Sequence, residues 1–143
     1  MSKKTLKIKR IFAYTIYNNL RSIPPKDYPS TGEIKSTISV VLPALKEHIS
    51  KFLEIFKKAE DLSIKVKQNK ISEADSKIEV DKYNEEWKNY NLEHGNEIVD
   101  ISLDEESFKI LKTQFDRDNW GKKWVMNIEE FGELVDAFEE AGK

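Results

Sequence analysis

The chain has 143 residues, 35% of them charged, with a net charge of −2 and no cysteine. That length suits one domain with a core of its own, and the missing cysteines exclude disulfides, thiolate metal sites and cysteine nucleophiles. Three Trp, five Tyr and seven Phe argue against disorder, which goes with few aromatics. The near-neutral total hides a split: residues 1–71 carry 15 Lys/Arg against 6 Asp/Glu, and residues 72–143 carry 9 against 20. Halves of +9 and −11 point to a nucleic-acid face, a head-to-tail partner, or two halves that fold against each other.

Residues 1–10 form a basic arm in which Thr5, Leu6, Lys7, Ile8 and Lys9 alternate polar and apolar, the pattern of a short strand. No apolar signal core follows it and no run approaches the roughly 20 residues of a membrane span, so a cytoplasmic chain is expected. Phe12, Ala13, Ile16, Tyr17, Leu20 and Ile23 then recur at helical spacing until Pro24 and Pro25 stop them. Ser30 to Glu33 has the form of a capping box. Behind it Ile34, Ile38, Val41, Leu42, Leu45, Ile49, Phe52, Leu53, Phe56 and Leu62 predict a long amphipathic helix over 31–67. Pro43 implies a kink near 39–43, or two helices with proline in the first turn of the second.

Ser72 with Asp75 predicts the start of a second helix, over 72–94, whose looser stripe is Ala74, Ile78, Tyr83, Trp87 and Tyr90, with His94, Gly95 and Asn96 ending it. A short connection makes residues 31–94 an antiparallel hairpin. Residues 97–103 read as a strand with Val99, Ile101 and Leu103 on one side. Ser102 with Glu105 has the spacing of a cap for a short helix through Phe108, Leu111 and Phe115. Asn127 with Glu130 starts a last helix through Ile128, Phe131, Leu134, Val135 and Phe138. The fold class expected is mainly α: a single domain over 1–143, a helical bundle around a long antiparallel pair, with a small two-stranded element joining Thr5–Lys9 to Glu97–Leu103.

Chemistry is sparse. The segment from Asp116 to Asn127 has the outline of a calcium loop, but Trp120 offers no side-chain oxygen at the fifth position and Asn127 stands where a bidentate Glu is needed. His48 and His94 share no metal-ligand spacing, and the adjacent glutamates suit solvated helix faces. The reading is therefore non-enzymatic, with no cofactor and no metal. Lys3, Lys4, Lys7, Lys9 and Arg10 are the candidates for phosphate contacts, though a pI of 5.8 places nucleic acid behind a protein partner. The aromatic anchors for a protein are Trp87, Tyr90, Trp120 and Trp124, with a homo-oligomer as one form of that partnership.

The layout as a whole, from the strand and helix over Thr5 to Leu20, through the Lys/Glu-rich helices, to the strand Ile98–Leu103 and the helices with Phe108, Leu111, Ile128, Phe131 and Leu134, resembles small proteins of tailed bacteriophages, one uncharacterised family in particular. The resemblance implies a phage origin and an accessory role in particle assembly, or in capturing a host or defence protein, in the host cytoplasm or on the virion.

Overall fold

The computed structural model describes residues 3–22, 31–115, 124 and 126–143. Strand β1 (Lys3–Lys9) runs straight into helix α1 (Arg10–Ser22). Helix α2 (Thr31–Ser36), a wider π-type turn (Thr37–Val41) and helix α3 (Leu42–Lys46) follow. Helix α4 (Ser50–Lys67) and helix α5 (Glu73–Tyr90) form an antiparallel hairpin. A second π-type turn (Asn91–Gly95) leads to strand β2 (Ile98–Asp104), helix α6 (Glu105–Gln114) and helix α7 (Ile128–Ala141).

The chain is mainly helical, with β1 and β2 paired antiparallel from Lys3↔Asp104 to Lys9↔Ile98. Alternation gives the small sheet two unlike faces. Leu6, Ile8, Val99, Ile101 and Leu103 are buried beneath it, while Thr5, Lys7, Asp100 and Ser102 point to water. The core joins those strand residues to Phe12 and Ile16 of α1, Leu45 and Ile49, Phe108 and Leu111 of α6, and Leu134 and Phe138 of α7.

The long helix expected over 31–67 is in three pieces. Pro43 lies in the first turn of α3, where its missing N–H costs least, and the π-type turn just before it absorbs the lost hydrogen bond. A further break at residues 47–49 follows, where Ile49 leaves helical geometry and is fully buried. The antiparallel pair is therefore α4 with α5 alone, and α3 packs on α1 instead. The capping box at Ser30 lies outside the described residues. Ser72 does cap α5, its Oγ accepting from Asp75 N at 3.1 Å, and Asn127 caps α7, its Oδ1 accepting from Glu130 N at 2.8 Å. The α6 cap is Asp104 rather than Ser102: β2 continues to Asp104, whose Oδ1 accepts from Ser107 N at 2.6 Å. A carboxylate at the positive end of a helix is the stronger cap.

Candidate protein-binding surface

The hairpin is set off from the rest of the molecule by what it fails to bury. Phe52, Ile55 and Leu62 of α4 turn inward, yet α5 buries no residue along its whole length. From Ser63 to His94 no residue is fully buried. The hairpin's turn is built by Asn69, whose φ of 57° is the left-handed conformation that ends helices. Lys70 N donates to Lys65 O at 2.9 Å and Asn69 N to Val66 O at 3.0 Å, satisfying carbonyls at the end of α4.

At its root the hairpin is held by rings. Phe52 lies 5.1 Å from both Tyr14 and Trp87 and 4.9 Å from Tyr90, measured between ring centres. Tyr90 in turn meets His94 at 5.1 Å. Trp87 and Tyr90 are half-buried here, with one face on the core and one toward solvent. Lys51 and Lys58 of α4 both reach Glu86 of α5, at 3.3 and 3.5 Å.

Farther out, large apolar side chains are left in water. Phe56 is 41% exposed, Ile64 50%, Ile78 58% and Val80 37%. A groove of about 750 Å³ runs along the back of α4, with Tyr17 and Arg21 of α1 as one wall and Leu53, Phe56, Lys57 and Ile64 as the other. These residues were not among the sequence candidates. Phe56 belongs to the same apolar series as the buried Phe52, and only the solved packing separates them.

The sequence candidates are dispersed. Trp124 is 3% exposed, stacked on Phe115 at 4.3 Å, with Nε1 donating to Gln114 O at 2.9 Å. It is a core residue and offers no ring to a partner. Trp120 lies outside the described residues, as does most of the calcium-like loop. Among the described residues no three His, Cys, Asp or Glu side chains gather as metal ligands.

The basic arm is a strand whose charges meet acids of the second half. Lys3 stands opposite Asp104, Lys7 Nζ is 3.3 Å from Asp100, and Lys9 Nζ is 3.7 Å from Glu133 while lying over the Phe12 ring. Lys4 pairs in register with Leu103 and is half-buried. Arg10 is bound inward: Nε donates to His48 O at 3.0 Å, and Nη1 donates to His94 O at 3.1 Å and to the Glu97 carboxylate. His94 Nδ1 lies 2.9 Å from the same Glu97 oxygen. Arg10 and His94 together hold the Glu97 carboxyl below its ordinary range.

No described helix is long and apolar enough to cross a membrane. Compared with known proteins, the chain matches no family model, no curated protein and no solved structure.

Proposed function

We propose that the chain acts by binding another protein, without catalysis, through the α4–α5 hairpin, in a structural or assembly role. The observation that carries this reading is an eighteen-residue helix, α5, in which no residue is fully buried and Ile78 and Val80 stay in water. Helices in proteins owe most of their stability to tertiary packing, and a helix left without it on one side offers that side to a partner. The half-buried Trp87 and Tyr90 at the root add ring surface of the kind that anchors interfaces. The tailed-phage resemblance supplies the setting proposed with it, particle assembly, with capture of a host or defence protein as the alternative use of the same surface. Phosphate binding by β1 has less support, since Lys7 and Lys9 face Asp100 and Glu133 across the fold.

The test is affinity capture with three folded forms of the chain. A partner held by the wild type and by Ile128→Glu, but lost with Ile78→Glu, supports the hairpin. Ile128 is the control because it is as exposed as Ile78 but lies on α7. A partner lost with Ile128→Glu and retained with Ile78→Glu overturns the reading.

A further inference from the structure

We infer that the back face of α4 is a self-complementary interface, on which two copies of this chain pack their α4 helices antiparallel about a two-fold axis. The inference rests on the hairpin reading above and names its partner as a second copy.

The argument starts from one stripe. Leu53, Lys57, Glu60 and Ile64 recur at spacings of four, three and four, which puts them on one face of the helix. That face is turned away from Phe52, Ile55 and Leu62, which pack inward, and it lines the groove beside Tyr17 and Arg21; Leu53 is half-buried against the core at one end of it, and Lys57, Glu60 and Ile64 are exposed. Read along the helix the order is apolar, cation, anion, apolar. Read backwards it is apolar, anion, cation, apolar.

An antiparallel copy therefore sets Leu53 against the partner's Ile64 and Lys57 against the partner's Glu60, and the two-fold repeats each pair. A parallel copy sets lysine on lysine and glutamate on glutamate, which is unfavourable. The stripe thus selects one orientation, and a two-fold interface closes as a dimer. Leu53 and Ile64 are separated by about 16 Å along the helix, three turns, the span of an ordinary helix–helix contact.

Two further observations favour this face. Lys51 and Lys58 of α4 are engaged inside the chain by Glu54 and Glu86, whereas Lys57 and Glu60, like Asp61, Lys65 and Lys67, are in no ion pair with another described residue. Phe56 and Ile64, exposed beside them, supply the apolar surface that an ion pair alone lacks. The groove also offers the partner's Ile64 a seat between Leu53 and Tyr17.

The experiment is sedimentation velocity on the full chain over a concentration series at low salt. The wild type is expected to be a dimer. Lys57→Glu or Glu60→Lys alone puts like charges opposite each other twice, and weakens the dimer roughly tenfold. An equimolar mixture of the two single variants restores wild-type affinity, as does the double variant, because opposite charges meet again. Ile64→Asp leaves a monomer. Lys57, Glu60 and Ile64 are exposed, and a cooperative thermal melt confirms that each variant is folded.

A wild type that stays monomeric overturns the inference and leaves capture of a different protein by the hairpin untouched. A dimer indifferent to Lys57→Glu, or a mixture that fails to restore affinity, overturns it as well, because the copies then meet elsewhere. A partner lost with Ile128→Glu in the capture experiment counts against the hairpin as the general binding surface, whatever the dimer does.

Discussion

Arg10 ties three separate parts of the chain together. Its guanidinium ties the start of α1 to the break before α4, through His48 O, and to the end of the α5 segment, through His94 O and Glu97. Removing it takes the side-chain donor from His48 O and leaves His94 O and the Glu97 carboxylate with only their bonds to Glu97 N and His94 Nδ1, so Arg10→Ala should cost about 2 kcal/mol in a urea titration. Arg10→Lys should recover only part of this, since one ammonium cannot reproduce the planar fork. Glu97 makes the same cluster sensitive to acid. Its carboxyl is held below the ordinary 4.5 by Arg10 and then His94, so the folded state binds this proton less readily than the unfolded chain. The stabilisation is present above pH 4.5 and disappears as pH falls through the lower folded value. Glu97→Gln should therefore flatten the acid limb of a stability–pH curve and leave its neutral-to-basic part without pH dependence from this group.

At the scale of elements, caps and turns decide where helices begin and end. Asp104→Ala should destabilise by about 1 kcal/mol, whereas Ser102→Ala on the solvent face of β2 should change little. Asn69→Gly should stabilise by a few tenths to about 1 kcal/mol, because glycine adopts the left-handed conformation with no side-chain penalty. Thermal or urea midpoints of the single variants check all three. Much of this organisation was legible beforehand. The alternation of β1, the Val99, Ile101 and Leu103 side of β2, the caps at Ser72 and Asn127, and the two-stranded pairing follow from periodicity and capping chemistry. The break at residues 47–49 was not legible, since Ile49 continues the helical rhythm and is buried either way. Nor was the α6 cap, because the spacing from Ser102 to Glu105 imitates the one from Asp104 to Ser107. The candidate surface was legible only in Trp87 and Tyr90. Phe56 and Ile64 share their apolar character with core residues, and composition alone does not separate exposed from buried members of one series.

Across the whole molecule, the opposed charges of the two halves are interleaved rather than segregated. β1 of the basic half is sewn to β2 of the acidic half, and α4 to α5, by Lys7–Asp100, Arg10–Glu97 and Lys58–Glu86. The deep core likewise draws Leu6, Ile8 and Ile16 from the first half and Ile101, Leu134 and Phe138 from the second. Among the described residues, the distal hairpin stands outside that arrangement, and stability should be distributed accordingly. Amides of β1, β2 and α1 are tied to fully buried side chains and should exchange hydrogen only with global unfolding. Amides of α5 between Ala74 and Glu85, a stretch in which no residue is fully buried, should exchange first, through local opening that leaves the core intact. Hydrogen exchange followed by mass spectrometry or NMR measures this directly. Partner binding on the hairpin should then slow α5 and α4 selectively, because a helix that lacks tertiary packing gains the most from acquiring it. If α5 exchanged as slowly as β2 in the isolated monomer, its stability would come from within the chain, and the hairpin would have no need of a partner to complete it.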